Sequence, residues 1–212
     1  MRFEELLNNG FLYNIYQNLI VYKNREQASG FFDLPQTQRC NFRVLDIGCG
    51  PGTRVNYFYD TNYYGFDFNE QNIKMAMKKY KNYSNLHFIC ADINDYFNLQ
   101  NFSESDYFDL AIMHGVLHHL NDKEVADVVC SVKKLLRLND CKTGELRIFE
   151  PVILPQNSAI TAFLLNHDRG KFIRTKDDYI SFLKPHFSNI EAKIFTDIYR
   201  LPIPSAFIRA KL

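Results

Sequence analysis

The chain has 212 residues, of which 46% are hydrophobic and 23% charged, and its formal net charge is +1. This length predicts a single domain with a sizeable core, and the near-neutral charge disfavours nucleic acid as the main partner. We find no apolar run long enough to span a membrane and no signal peptide, so we expect a cytoplasmic protein without a membrane partner. The five cysteines lack a Cys-x-x-Cys pair, which predicts reduced thiols and neither disulfides nor a zinc site.

The predicted elements begin as an alternation of helices and strands. Helical spacing of apolar residues predicts an amphipathic helix at 11–22, inside an N-terminal helical cap over 1–35. A short helix is predicted at 53–60. Two longer helices follow, one capped by Asn69 and one beginning with a capping box of Asn121 and Glu124. Short apolar runs predict five buried strands, at 41–48, 62–68, 85–93, 108–115 and 144–152.

The last third of the chain departs from this alternation. Two helices are predicted inside a helical insert over 152–188, the second of them capped by Thr175. Two strands, at 190–199 and 205–212, are joined only by RLPIP and must pair antiparallel, because a parallel crossover needs about a dozen residues. The pattern predicts an α/β, three-layer, doubly wound seven-stranded sheet that is mostly parallel with an antiparallel C-terminal strand pair, in a single domain over 1–212.

A glycine-rich loop follows the first predicted strand in the sequence RVLDIGCGPGTR. Gly48, Gly50 and Gly52 leave the backbone bare, and Asp46 stands two residues before the first of them. The phosphate-binding loop of a dinucleotide-binding fold has the spacing G-x-G-x-x-G, whereas this loop has G-x-G-x-G. An acid at this place would repel a pyrophosphate and favour a ligand that carries an ammonium group.

Two further acids end the next two predicted strands. Asp67 follows Asp46 by 67 − 46 = 21 positions and is well suited to accept hydrogen bonds from a ribose diol. Asp92 ends the third strand, where it could accept from the amino group of adenine. Because strand ends meet at one edge of a parallel sheet, the three acids describe a ligand with an amine, a ribose and an aminopurine. S-adenosylmethionine fits that description.

The same segments resemble the motifs of the class I S-adenosylmethionine-dependent methyltransferases. VLDIGCGPG resembles the first motif, GFDFNEQNI the second, CADI the third and FDLAIMHGVLHHL the fourth, while GELRIFEP is similar to the fifth-strand segment. Many relatives have Ser where this chain has Asn69. Near the N-terminus and in the tail, YNIYQ, PQNSAI, HDRGKFIRT and DIYRLPIP resemble an uncharacterised bacterial group of the small-molecule type.

The resemblance implies S-adenosyl-L-methionine as cofactor, S-adenosyl-L-homocysteine as product, and a set of cofactor-binding residues. The first-motif residues would hold the methionine part, the second-motif residues the ribose and the adenine face, the third-motif residues the adenine edge, and the fourth-strand carbonyl the ammonium. The implied residues are Asp46, Gly48, Cys49, Gly50, Asp67, Phe68, Asp92, Ile93 and Met113.

Three histidines, His114, His118 and His119, lie at or just after the end of the fourth predicted strand, where the transferable methyl group should point. A base suits a hydroxyl or protonated amine acceptor, and an imidazole titrates near neutral pH. We therefore hypothesise that His114 or His118 is a catalytic base; a loop role without substrate contact is the alternative. The spacing of four between them also invites a metal interpretation, but we expect no metal, because similar loops occur in relatives that need none.

The insert over 152–188 is the candidate acceptor pocket. Arg169 or Arg174 in HDRGKFIRT could bind a carboxylate or phosphate, although a helix end with Gly170 as its C-cap accounts for the same residues. Tyr13 belongs either to the core or to a lid over the pocket.

The absence of one sequence motif bears on the class of methyl acceptor. No Asn/Asp-Pro-Pro-Tyr sequence follows the fourth strand, which favours methyl transfer to an O or N atom of a small molecule. The alternatives are a non-catalytic protein that binds S-adenosylmethionine or its product, a nicotinamide-dependent oxidoreductase, and a methyltransferase acting on a protein or RNA. The sequence carries no indication of the oligomeric state.

Overall fold

The computed structural model describes residues 30–34, 41–93, 95, 107–136, 138–139, 142–168 and 170–212. The predicted helix at 11–22, Tyr13 and Arg169 lie outside the described residues. The strands are β1 (Arg43–Ile47), β2 (Asn62–Asp67), β3 (Leu86–Cys90), β4 (Leu110–His114), β5 (Glu145–Pro151), β6 (Asn189–Phe195) and β7 (Ser205–Lys211). The α-helices are α1 (Glu70–Lys79), α2 (Asp122–Leu135), α3 (Ala159–Asn166) and α4 (Lys176–Leu183).

These strands form one seven-stranded sheet in the order β3-β2-β1-β4-β5-β7-β6. The first five strands of that order run parallel, and β7 is antiparallel to both of its neighbours. The predicted fold class is confirmed, including the antiparallel pair. Ile47 lies level with Phe66 and Met113, so the carboxyl ends of the central strands meet at one edge. That edge is where ligands bind in such sheets.

Each face of the sheet carries its own apolar core. Because side chains alternate along a strand, Leu45 and Ile47 of β1 pack on one face and Val44 on the other. The first face is covered by α2 and α4, through residues such as Val125 and Leu183. The second face is rich in aromatic rings. Helices and turns on both faces produce the predicted three layers.

Side-chain caps fix where three helices begin. The side chain of Asn69 accepts hydrogen bonds from the main chain of Gln71 and Asn72 at the start of α1. A capping box of Asn121 and Glu124 begins α2, as predicted. Thr175 caps α4, also as predicted, in a box with Asp178. Each such cap stabilises its helix by about 1 kcal/mol.

Three predicted boundaries are wrong. The helix predicted at 53–60 is only a 3₁₀ turn, Val55–Tyr57, with Val55 and Phe58 buried. Helix α4 ends at Leu183 rather than 187, because Pro185 has no N–H with which to continue the helical hydrogen bonds. Strand β6 ends at Phe195 rather than 199. Within the described ranges, no helix has the length and apolar character needed to cross a membrane.

Candidate functional site

The glycine loop makes three left-handed turns directly after β1. Gly48, Gly50 and Gly52 have φ angles of 69°, 56° and 74°, a region that costs other residues about 1–2 kcal/mol. A Cβ atom on Gly48 would lie 2.5 Å from Cγ2 of Val116, so the loop after β4 packs closely against this glycine. A Cβ atom on Gly50 would meet no other atom within 4 Å. The loop therefore combines a tightly packed base with open space at its middle glycine.

The carboxylate of Asp67 ties this loop to the end of β2. Its Oδ2 accepts a hydrogen bond of 2.8 Å from the main-chain nitrogen of Gly50, and its Oδ1 accepts one of 2.8 Å from the nitrogen of Asn69. Its Oδ1 also accepts a hydrogen bond of 3.4 Å from Nδ2 of Asn72. A carboxylate offers about four lone-pair sites, so about one site remains for a hydroxyl donor. The structure thus brings together two residues that are 17 positions apart in the sequence.

The next residues line the outer end of the same edge. The Phe68 side chain is 86% exposed, which is unusual for a phenyl ring and leaves its face available for stacking. Asp92 is exposed just beyond β3, whereas the side chain of Ile93 is buried. If Ile93 meets a ligand, its main chain rather than its side chain must do so.

Asp46 lies beneath the loop with both carboxylate oxygens engaged by other side chains. Arg54 donates to it through Nε at 3.1 Å and through Nη2 at 3.0 Å, and the hydroxyl of Tyr63 donates to it at 2.6 Å. Burial, followed by the charge of Asp46, holds the pKa of Tyr63 well above its usual range, so the phenol keeps the proton it donates. This pairing gives the acid internal partners that the sequence prediction had not included.

Cys49 points away from the loop opening. Its thiol is buried, packs against Gly65 and makes a 3.4 Å contact with the carbonyl oxygen of Gly50. Burial, reinforced by the negative charge of Asp46, raises the pKa of this thiol, so it is not a reactive thiolate. A cofactor contact by Cys49, as implied above, is restricted to its main chain.

Met113 and His114 close β4 at the centre of the edge. Met113 is fully buried, and the ring of His114 stacks on Phe149 with centroids 5.0 Å apart. Burial first, and the positive charge of Arg54 second, lower the pKa of His114 to about 3. At neutral pH this imidazole is uncharged, and it is a much weaker base than a free histidine.

His118 occupies a different environment, bridging two carboxylates. Its Nδ1 lies 2.6 Å from Oε2 of Glu150 and its Nε2 lies 3.3 Å from Oδ1 of Asp168. Burial opposes the charged ring, but the charge of Glu150 and the hydrogen bond to Asp168 outweigh it and raise the pKa of His118 to about 9. A ring that is already protonated, with both nitrogens engaged, is unsuited to accept a proton from an acceptor. The geometry therefore argues against the base role hypothesised for His118.

The acceptor-binding role predicted for Arg174 conflicts with its contacts, because every N–H donor of its guanidinium is bound within the protein. Nε and Nη2 donate to Asp122, and Nη2 also donates to the carbonyl of Leu120. Nη1 donates to the carbonyls of Leu117 and Phe172. These contacts use all five N–H donors of an arginine, so none remains for an acceptor carboxylate or phosphate. Arg174 instead holds the turn Leu117–His119 in place.

Four residues of the site were missed by the sequence analysis. Arg54 and Tyr63 hold Asp46, as described above. Glu150 is a buried acid at the end of β5 that accepts from the main chain of Val116 and Leu117, at 2.7 and 2.8 Å. The rule that selected three acids at strand ends would also have selected Glu150. Gly170 packs so closely on His118 that a Cβ atom would lie 1.8 Å from the ring, and no local signal indicates this contact.

The spacing of His114 and His118 had also invited a metal interpretation. In the part of the chain that the structure describes, no group of three or more His, Cys, Asp or Glu side chains could hold a metal ion.

Solved structures share this fold at low sequence identity. The N-methyltransferase NodS from Bradyrhizobium japonicum WM9, in complex with S-adenosyl-l-homocysteine, is 19% identical with a TM-score of 0.63, and the match covers 88% of this chain and 86% of that one. Phosphoethanolamine N-methyltransferase 2 from Haemonchus contortus, in complex with S-adenosyl-L-methionine, is 14% identical with a TM-score of 0.70, covering 100% of this chain and 60% of that one. The [4+2]-cyclase SpnF is 12% identical with a TM-score of 0.68, covering 90% and 86%. At these identities the likeness shows the fold, which by itself does not determine the substrate.

A family profile adds the sequence evidence. Residues 44–139, less than half of the chain, match a family described as a methyltransferase domain, and this range contains the glycine loop, Asp67 and β4. No curated protein sequence matches significantly. The segment 44–139 thus resembles a methyltransferase domain, and the whole sheet has the fold of S-adenosylmethionine-dependent methyltransferases of known structure.

The chemistry of the loop region is compatible with S-adenosylmethionine as a ligand. The space over Gly50 admits a ligand against bare backbone, and the exposed ring of Phe68 offers a face for adenine. Bound there, S-adenosylmethionine would supply an activated methyl group on a sulfonium. The chain itself must then hold the donor and align the acceptor with it.

Proposed function

We propose that the protein transfers a methyl group from S-adenosylmethionine to an O or N atom of a small molecule that lies beyond the end of β4. The observation that carries the proposal is the open glycine loop joined to Asp67 at 2.8 Å, next to the exposed ring of Phe68. We assign the ribose to Asp67, the adenine to Phe68 and Asp92, and the methionine half to the span between Gly48 and Met113. This assignment points the methyl group towards His114.

Alignment is the main catalytic task in this proposal. Transfer breaks the bond between carbon and sulfur as the bond between the acceptor and carbon forms, and the released electron pair stays on sulfur. The sulfonium is a good leaving group, so holding donor and acceptor at near-attack distance supplies most of the effect, about 7–11 kcal/mol. The aromatic wall of Phe149 and Phe32 fixes the ring of His114 at the place where the acceptor must dock.

The protonation of the two histidines disfavours a mechanism in which either ring takes a proton from the acceptor. With a pKa of about 3, His114 is a poor base for a hydroxyl, and His118 is already protonated. An amine that arrives in its neutral form carries its own lone pair and needs no base before the transfer. Replacement of His114 by Gln should therefore lower turnover through lost alignment, with no change in the shape of the rate profile above pH 6.

The decisive experiment measures binding first and transfer second. We expect S-adenosylhomocysteine to bind in a calorimeter, and we expect labelled methyl from S-adenosylmethionine to enter the low-mass fraction of a cell extract. Label that appears only in protein or RNA would contradict the small-molecule acceptor. A protein that binds S-adenosylhomocysteine but labels no fraction would support the non-catalytic alternative.

Two glycines provide a matched test of the cofactor position. Gly50 and Gly115 both have positive φ, at 56° and 68°, so replacement of either by Ala strains the backbone by a similar amount, about 1–2 kcal/mol. Only Gly50→Ala places its methyl group in the proposed ligand space. We expect Gly50→Ala to weaken S-adenosylhomocysteine binding by about tenfold or more, and Gly115→Ala to leave it within about threefold. Equal losses in the two variants would reject the assigned position.

A further inference from the structure

Glu150, the buried acid near the end of β5, divides its two carboxylate oxygens between two neighbouring segments. Oε1 accepts hydrogen bonds from the main-chain nitrogens of Val116 and Leu117, at 2.7 and 2.8 Å. Oε2 lies 2.6 Å from Nδ1 of His118 and accepts from the main-chain nitrogen of that residue at 3.4 Å. Because His118 also contacts Asp168, the Oε2 side of the carboxylate is connected to the acceptor half.

The turn after β4, over 116–120, is held at its donors and at its acceptors. Glu150 binds its N–H groups, and Arg174 donates to the carbonyl oxygens of Leu117 and Leu120, at 3.1 and 2.8 Å. Glu150 is fully buried, and hydrogen bonds to a charged acceptor are stronger than those to a neutral one. A buried main-chain N–H group that loses its acceptor is costly, so the position of Glu150 fixes the position of the turn.

Val116 connects this turn to the glycine loop. Its Cγ2 would lie 2.5 Å from a Cβ atom on Gly48, so a methyl group of Val116 occupies the place where another residue would have its side chain. In the proposed function, the methionine half of the cofactor lies between Gly48 and Met113. A shift of Val116 would therefore change the shape of that interval at its glycine end.

We propose that Glu150 is a positioning residue for the cofactor, which holds Val116 against Gly48 through Oε1 and so fixes the glycine loop around the methionine half of S-adenosylmethionine. This inference rests on the proposed function, because it takes the place of the methionine half from it. Oε2 has a separate task, which is to hold His118 beside the acceptor half. Loss of Oε1 then affects cofactor binding, whereas loss of Oε2 does not.

Two substitutions of Glu150 separate these tasks. Glu150→Gln keeps one oxygen for the N–H groups of Val116 and Leu117, because the opposite amide orientation would set an NH₂ group against two donors. Glu150→Met has a similar length and offers no oxygen. We expect Glu150→Met to weaken S-adenosylhomocysteine binding by about tenfold or more in calorimetry, as for loss of charged hydrogen bonds, and Glu150→Gln to leave it within about threefold.

The matched control is His118→Gln, which alters only the Oε2 side. It should lower the free energy of unfolding and still leave S-adenosylhomocysteine affinity within about threefold. If Glu150 acts only on overall stability, affinity will fall in step with the unfolding free energy in all three variants, and the proposal is wrong.

The contact between Val116 and Gly48 has its own test. Val116→Ala removes the methyl group that lies on Gly48 and should weaken S-adenosylhomocysteine by about threefold or more. Combined with Glu150→Met, it should add less than about twofold, because both changes remove the same contact. Fully additive losses would reject the proposal. If Glu150→Met does not fold, Val116→Ala decides, and an unchanged affinity rejects the proposal.

Failure of the proposed function gives a different result. If the wild-type protein does not bind S-adenosylhomocysteine, the proposed function is wrong, and hydrogen exchange of the unliganded protein still tests the positioning. The main-chain N–H groups of the glycine loop donate to Phe66 and Asp67. They should exchange faster in Val116→Ala and in Glu150→Met than in His118→Gln. Equal exchange of the loop in these variants would reject a positioning role for Glu150.

Discussion

The two halves of the functional edge differ in how much open surface they leave beside their polar groups. In the cofactor half, at the ends of β1 to β3, the loop leaves open space over Gly50 and the ring of Phe68 is exposed. In the acceptor half, at the ends of β4 and β5, the polar side chains bind one another. His118 joins Glu150 to Asp168, and Arg174 uses all five of its donors within the protein.

This difference teaches what each half needs to do. In the proposed function, main-chain turns and a single carboxylate would receive the cofactor. In the acceptor half, contacts between residues far apart in the chain hold Asp168 and Arg174 in place. Polar side chains there mainly stabilise the protein's own structure. In the proposed function, the surfaces that they position would contact the ligand.

The largest expected effect comes from Glu150, the buried acid of the acceptor half. Glu150→Ala leaves the protonated ring of His118 and the main-chain donors of Val116 and Leu117 without their acceptor. We expect a loss of about 3–5 kcal/mol in the free energy of unfolding, measured by urea titration. Glu70→Ala is the control, since that acid pairs with Lys74 on the surface and should cost less than about 1 kcal/mol. Similar losses in both variants would show that the buried acid contributes no more to stability than the surface acid does.

The protonation of His118 gives the second prediction, in the pH dependence of stability. Its pKa is raised from 6.5 to about 9 on folding, so its contribution is complete below pH 6.5 and is lost as the pH rises through 9. A shift of this size corresponds to roughly 3 kcal/mol. Unfolding free energies of the wild type should fall over this window.

The control for this pH effect is His118→Gln, which keeps a polar side chain but cannot be protonated. We expect its stability to be lower at pH 6.5 and nearly flat from pH 6.5 to 9. A decline as steep as that of the wild type would assign the pH dependence to other groups, such as His119, whose ring centroid lies 4.1 Å from that of His118.

The sequence predicted the glycine loop and the helix caps well because their signals are local. The loop and the caps at Asn69, Asn121 and Thr175 each depend on residues within a few positions of one another. The loop's glycines are required by positive φ angles, which any reader of the spacing can expect. Asp67 was placed by the rule that parallel strands end at one edge.

The acceptor half was predicted poorly because its contacts join distant positions. His118 lies 32 positions from Glu150, and Arg174 lies 52 positions from Asp122. No spacing rule tells whether a histidine or arginine will find a carboxylate at such a separation. Asp46 shows the same limit at shorter range, since Arg54 is only eight positions away and stood in the same motif. The sequence analysis paired Asp46 with the ammonium group of a ligand, whereas in the structure Asp46 pairs with Arg54 of the same chain.

A smaller effect on stability is expected from a substitution at Gly170. A Cβ atom there would lie 1.8 Å from Cδ2 and 2.7 Å from the main-chain oxygen of His118, so the ring or the backbone must move. We expect Gly170→Ala to lower the free energy of unfolding by about 1–3 kcal/mol. S-adenosylhomocysteine affinity should change by less than about threefold, because the cofactor half is not touched. A strong loss of affinity would mean that the two halves are coupled through this contact.

The smallest expected effects come from the helix caps, and they test whether the contrast extends to local structure. Asn69 begins α1 in the cofactor half and Asn121 begins α2 beside the acceptor half. Replacement of either by Ala removes the side-chain acceptor of one helix start and should cost about 1 kcal/mol, while Asn69→Ser should cost only a few tenths. Equal costs measured by urea titration would show that the two halves are built from equally stable helices. The difference between them would then lie only in the side chains at the strand ends.

A much larger cost for Asn69→Ala would instead mean that its contact with Asp67, at 2.8 Å through the main chain of Asn69, depends on the cap. In that case the loop, the ribose acid and α1 form one unit, and the cofactor half is less open than its exposed surface suggests.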